Sequence, residues 1–538
     1  MRNDLCRAGS PHPAVRLSFP GTAAALGRIF PERPRAAALP GTIFASSRFK
    51  PYIVCMTPRL LSRALVFLLL AFAVSLSAAE PAPRHHRMIV LTDIENEPDD
   101  TESMVRLMLY SNDIDLEGLI ATTSTHLRTR VAPDSIRAVI RAYAKVRPNL
   151  LQHDPHYPAA DDLLALVKQG PAVYGMAAVG AGQRSEGSDW MLRALAKDDD
   201  RPLWISVWGG ANTLAQALFT LRAEKTPAEV DRAVAKLRVY TISDQDDTGA
   251  WMRKNFPGLF YIVSPGGYGA ATWTGMNQAV PGIDNTTVSN KWLAEHIQQG
   301  HGPLGATYPD VAYGMEGDTP SWLNLIPNGL TDPEHPNWGG WGGRYELYLP
   351  DVASEDPHGF TGNVPIEPET RPIWTNAIDE YTPAVAGEFG RAVHAGEKSF
   401  RDYRATVWRW RDDFQNDFAA RMLWCTKSVA ESNHPPVVVL QHPDTLTVHA
   451  GDSVRLDANG TTDPDGDSLS YLWFQYVEAG TLPAVKFNSS ENLKWVGFVA
   501  PKVTAPQTGH FIVRVTDKGS PALSRYRRVV VTVDPAAP

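Results

Sequence analysis

Between residues 88 and 264 the chain alternates short β-branched runs with longer amphipathic stretches, and this rhythm constrains the fold more than any other feature. MIVLTD (88–93), LEGLIATTS (116–124), PLWISVWGG (202–210), LRVYTISD (237–244) and LFYIVS (259–264) read as strands. SMVRLMLYS (103–111), DSIRAVIRAYAKV (134–146), NTLAQALFTLRA (212–223) and the short TGAWMRKNF carry apolar residues at helical spacing. Strands that alternate with helices form βαβ units. The expected fold is therefore α/β, an open, mostly parallel sheet with helices on both faces.

Beyond residue 265 the rhythm fades. Gly, Pro, Trp and Asn dominate SPGGYGAATWTG, NWGGWGGRYELYLPD and DPHGFTGNVP, and long loops on a rigid sheet tend to carry function. RDYRATVWRWRDDFQNDFAARMLWC reads as a helical segment that closes the α/β domain, placed at 87–431. At SNHPPVVVL (432–440) the composition shifts to alternating strands and turns, which predicts an immunoglobulin-like β-sandwich over 432–538. Within it DPDGD (463–467) reads as a tight turn, although its closely spaced carboxylates also suit calcium.

The amino-terminal region does not read as part of either domain. From Met56, two arginines precede an apolar run from Ala64 to Val74, and small residues stand before Glu80. That is the pattern of a secretory signal over 56–79, followed by a polar linker at 80–86. Residues 1–55, rich in Arg, Ala and Pro, read as an over-extended or disordered leader. Cleavage would leave Cys425 as the single cysteine, a buried small hydrophobe in an exported protein without disulfides. A net charge of −8 with no long basic run argues against a nucleic-acid partner, and nothing after the signal is long and apolar enough to span a membrane.

LTDIENEPDD (91–100) places Asp93, Glu95, Glu97, Asp99 and Asp100 within eight residues, where a strand ends and a helix begins. Like charges repel, so their gathering needs a cause. Asp99 or Asp100 as a first-turn acid accounts for one or two of them. A hard cation with oxygen ligands accounts for more, and alternation along an extended chain would send Asp93 and Glu95 to one side. In open α/β sheets such a strand end is also where ligands bind.

The stretch Asp93-Ile94-Glu95-Asn96-Glu97-Pro98-Asp99-Asp100 resembles the DxDxxxDD signature of the inosine–uridine nucleoside hydrolases, with Glu95 in place of the second Asp. The chain from residue 87 onward is more closely similar to a secreted, nucleoside-hydrolase-like group described as cellulose-binding, which adds a carboxyl-terminal sandwich. MEGDTPSWL (315–323) and TISDQDDTGAW (241–251) carry that resemblance. It implies a bound Ca2+ with Glu95, Asp100, the Asn212 carbonyl and Asp318 as ligands. Glu95 would activate water, Asp99 would grip sugar hydroxyls, and Asp93 would support them from the strand end. Glu316, beside Asp318, is taken as a substrate contact.

Asp244, Asp246 and Asp247 follow another strand and have two readings: sugar-hydroxyl ligands beside the metal, or an Asx turn and helix cap. Trp273, Trp338 and Trp341, in Gly-rich loops, offer faces for a saccharide, or pack as loop anchors. His126 reads as a structural histidine or a polar site residue. Two functions follow. One is a secreted or periplasmic hydrolase that cleaves an N-ribosyl or related glycosidic bond with water held by calcium. The other is a non-catalytic protein that binds cellulose or a similar plant-type polysaccharide and keeps the fold.

Overall fold

Strand β1 (His86–Thr92) runs through the middle of the sheet, and its residues Met88 to Leu91 are fully buried. This explains its unbroken apolar run, since a central parallel strand is covered on both faces. The computed structural model describes residues 85–264, 271–277, 282–352, 367–386, 392–394 and 398–536. The expected leader, signal segment and most of the linker lie outside the described residues, as do parts of the long-loop region.

After β1 come α1 (Pro98–Leu109), β2 (Ile114–Ala121), α2 (Pro133–His153), β3 (Val167–Gln169) and α3 (Glu186–Leu195). The chain continues through β4 (Leu203–Val207), α4 (Asn212–Glu224), β5 (Leu237–Thr241), α5 (Thr248–Asn255) and β6 (Phe260–Val263). Two further strands, β7 (Tyr345–Tyr348) and β8 (Ile373–Asn376), complete an eight-stranded sheet of order β3-β2-β1-β4-β5-β6-β8-β7. All neighbours are parallel except β7 and β8. The chain first builds outward from β1 through β2 to β3, then starts again at β4 on the other side. The crevice between the ends of β1 and β4 is thus the switch point, where such sheets bind ligands.

Alternate residues of β1 serve opposite faces. Met88 and Val90 join a core with α1, α2 and α6 (Arg411–Leu423), whereas Ile89 and Leu91 pack with α3 and α4. The sequence ends the second long helix at residue 146, but α2 runs through Pro148 to His153. Tertiary bonds hold that last turn: Asn149 Nδ2 donates to the carbonyls of Trp424 (2.8 Å) and Lys427 (2.6 Å).

The carboxyl-terminal strands form two sheets over an apolar core that includes Trp473, Phe498 and Phe511. The larger sheet contains β9 (Thr445–His449), β11 (Ser470–Gln475), β13 (Gln507–Thr516) and β14 (Ser524–Asp534); β10 (Ser453–Asp457) pairs with β12 (Trp495–Val499). This sandwich docks on the α/β body through buried contacts. Tyr476, Ile512 and Tyr526 belong to the same core as Trp341 and Trp410, Arg525 pairs with Asp417 at 2.7 Å, and the Tyr476 hydroxyl donates to Asp379 at 2.6 Å.

Candidate active site

The site grows from the loop that leaves β1. The Asn96 N–H closes a turn onto the Asp93 carbonyl (3.0 Å), and Glu95 adopts the left-handed backbone, φ 80°. Pro98 then opens α1, with Asp99 and Asp100 in its first turn, where the helix dipole favours negative charge. The Thr92 hydroxyl donates to Asp100.

Asp318 arrives from the far end of the domain and is pinned against α1. Arg106 of α1 forms a fully buried two-pronged pair with Glu316, at 2.5 and 3.0 Å. The Tyr308 hydroxyl (2.9 Å) and Thr319 Oγ1 (2.8 Å) also donate to Glu316. The Glu316 N–H donates to Glu102 (2.8 Å), and Ser321, bonded to Ser206 of β4, donates to the Asp318 carbonyl. These bonds bring one carboxylate oxygen each from Asp99, Asp100 and Asp318 within 4.8 Å of one another.

The three acids border a cavity of about 450 Å3 at the switch point, lined also by Asp93, Glu97, Trp208, Gln245, Trp273, Asn277, Tyr313 and Arg404. Burial raises the Asp93 carboxyl to about 6 and that of Asp99 to about 8, with neighbouring acids adding to both. Burial, then the charges of the other aspartates, lifts Asp100 and Asp318 well above the carboxylate range. Asp93 Oδ2, Asp318 Oδ2 and Gln245 Oε1 are buried without a hydrogen-bond partner. Converging carboxylates with orphaned oxygens fit a hard cation such as calcium.

The structure distributes the expected site residues unevenly. Asp93, Asp99, Asp100, Asp318 and Trp273 border the cavity, as does His126. Glu95 is not brought there. Its side chain, 43% exposed, turns outward to Arg130 and Ser135. The left-handed residue breaks the alternation that would have put it beside Asp93, and Glu97 lines the cavity instead. Asn212, whose carbonyl is the expected ligand, lies outside the cavity lining; its side chain anchors the loop through Thr122, Thr123 and the Val173 carbonyl.

Asp244 is bound by the buried Arg253 at 2.6 and 2.9 Å. Asp246 accepts from Thr248 and Asn212, and Asp247 accepts from the Met176 N–H. All three therefore have structural partners, and Glu316 is consumed by Arg106. Trp341 is buried against Phe414 and Tyr526, and Trp338 stacks on His335. Gln245 and Trp208, absent from the sequence reading, follow β5 and β4, and that position at the sheet edge was their available signal.

The fold and site together are those of an open doubly wound α/β protein with an acid-lined crevice at its switch point. Residues 87–345 match the family described as "Cellulose-binding Sde182, nucleoside hydrolase-like domain". Residues 453–533 match "Cellulose-binding protein Sde0182, C-terminal domain". A solved structure, a nucleoside hydrolase-related hypothetical protein from Saccharophagus degradans associated with carbohydrate metabolism, is 34% identical. It covers 84% of this chain and 100% of its own, with a TM-score of 0.68. The chain belongs to this cellulose-binding, nucleoside-hydrolase-like family. The type III effector XopQ, solved with adenosine diphosphate ribose, overlaps only slightly, at 15% identity over 60% of this chain and 93% of its own, TM-score 0.26. No curated protein matches the chain.

Proposed function

We propose that the protein is an exported, calcium-dependent hydrolase that cleaves an N-ribosyl or related glycosidic bond of a saccharide. The observation that carries this reading is the convergence of Asp99, Asp100 and Asp318 within 4.8 Å, beside buried oxygens of Asp93 and Gln245 that have no partner. Asp99, Asp100, Asp318 and Gln245 would hold the ion, with Asp93 beside it. Bound Ca2+ would supply the positive centre that keeps the acids ionised and orders sugar hydroxyls and water.

The chain's own groups supply the rest. Asp99 accepts hydrogen bonds from sugar hydroxyls, and the Trp273 face borders the ring. Asp93, with its free buried oxygen, is the base that this geometry favours over Glu95. As the water oxygen bonds to the anomeric carbon, the bond to the leaving group breaks. Asp93 takes the water proton and returns it to the leaving group. The charged–apolar–small stretch at 56–79 supports export.

Two variants test this reading. Asp100→Asn and Asp318→Asn should each lower calcium affinity at least ~10-fold, the lower range for disturbed metal sites, and remove turnover of an activated riboside. Unchanged affinity and turnover in both would refute it. A second reading, polysaccharide binding without catalysis, draws on the outward-facing Glu95 and on the family's description. Retention of the wild-type protein on insoluble cellulose with no turnover of any glycoside would favour it.

A further inference from the structure

Where the chain enters the sandwich, three buried oxygen atoms lack a partner: Asn433 Oδ1, Asp463 Oδ2 and Asp517 Oδ2. Each belongs to a side chain whose other polar atom is fully engaged. Asp517, 1% exposed, accepts through Oδ1 from the N–H groups of Gly519 and Leu523 and from Asn433 Nδ2, all at 3.0 Å. Asn433, 5% exposed, also donates from Nδ2 to the Pro521 carbonyl at 2.8 Å. Both of its partners are acceptors, so the amide group must face them, and Oδ1 is left over. Asp463 accepts through Oδ1 from the N–H groups of Asp465 (2.9 Å) and Asp467 (3.0 Å).

The three side chains share one corner. Asn433 touches Asp517 directly, and the next N–H, that of His434, donates to Asp465 at 2.6 Å. Asp465 in turn is bonded to Asp463. All three orphaned atoms are acceptors, and two of them carry the charge of carboxylates. The Asp463 charge helps to raise the Asp517 carboxyl, so the two lie near each other; a buried acceptor without a donor is costly, and a cation offers such acceptors a partner. Oxygen-only ligands and two formal negative charges suit a hard divalent ion, with water filling the remaining positions.

We propose that Asn433, Asp463 and Asp517 form a calcium site at the entry of the sandwich, separate from the acid cluster at the sheet edge. The ion ties the segment that leaves the α/β body to two loops of the sandwich. It thereby fixes the entry angle of the second domain. His434, whose ring packs against both His153 and Trp424, is fixed by the same corner.

The test uses the full chain, freed of metal by a chelator and titrated with Ca2+ in a calorimeter. An Asp100→Asn/Asp318→Asn background removes the sheet-edge cluster, so its failure and that of the sandwich site are read separately. That background should still bind one calcium, and calcium should raise its unfolding temperature. Adding Asp463→Asn should weaken the remaining event at least tenfold. In chelator, D463N should unfold no lower than its parent, because it retains Oδ1 and loses the repulsion of Asp517. No calcium uptake in the double-variant background, with water alone filling the corner, would overturn the proposal. So would equal uptake with and without Asp463→Asn.

Discussion

Replacing Glu95 with glycine separates two accounts of the acid loop. The side chain is 43% exposed and its partner Arg130 is 52% exposed, so their ion pair is strongly screened by solvent. Its loss should cost about 0.2–1 kcal/mol. At φ 80° a residue with a Cβ is strained, and glycine relieves roughly 1–2 kcal/mol of that. The extra freedom of glycine in the unfolded chain returns about 0.5–1 kcal/mol. The terms nearly cancel, so denaturant unfolding of Glu95→Gly should lie within about 1 kcal/mol of wild type, with calcium affinity and turnover intact. Had Glu95 been a ligand or base, its loss would cost a hundredfold or more, roughly 2.7 kcal/mol. A drop in calcium affinity or turnover beyond tenfold would refute the assignment of its role to Asp93.

Arg106→Met should destabilise by about 3–5 kcal/mol in denaturant titrations, since it leaves Glu316 charged and fully buried. The double variant Arg106→Met/Glu316→Leu should recover much of that loss; no recovery would mean that packing, not charge, is at stake. Gly317→Ala would put a methyl group 2.8 Å from the Trp273 ring and 3.1 Å from Asp99 Oδ2. It should cost about 1–3 kcal/mol and weaken saccharide binding measured by calorimetry, without changing any charge.

Asp417 gives a pH dependence. Burial opposes its ionisation, but Arg525 and Arg421 outweigh burial and hold the carboxyl at about 2. A folded value below the unfolded one stabilises the protein above pH ~4, and that contribution is lost as pH falls toward 2. Unfolding midpoints should therefore drop across this window less steeply in Asp417→Asn than in wild type.

The βαβ core was legible because β1, β4 and β5 are covered on both faces and so show as largely apolar runs, broken only by residues such as Ser206 and Arg238. The edge pair β7 and β8 escaped notice: Glu346 and Leu347 are exposed, and short edge strands carry little pattern. The gathering of acids at 93–100 was plain, but their division was not. A single left-handed residue at Glu95 inverts the side on which the next acid falls, and no spacing rule registers that. Asp244 looked available because its partner Arg253 lies on the following helix, where an arginine in sequence gives no hint that it is buried. That Asp318 would join Asp100 came from resemblance; in the fold the cause is the Arg106–Glu316 pair.

The sharing of Tyr476, Ile512 and Tyr526 with the core around Trp341 and Trp410 bears on how this protein can be divided. A chain shortened at the start of the sandwich would bare an aromatic face that the α/β body cannot cover alone, and such a fragment would tend to aggregate. Melting should then be a single concerted event. The second module therefore serves as the floor under those tryptophans, and removing it would cost the first module part of its own core.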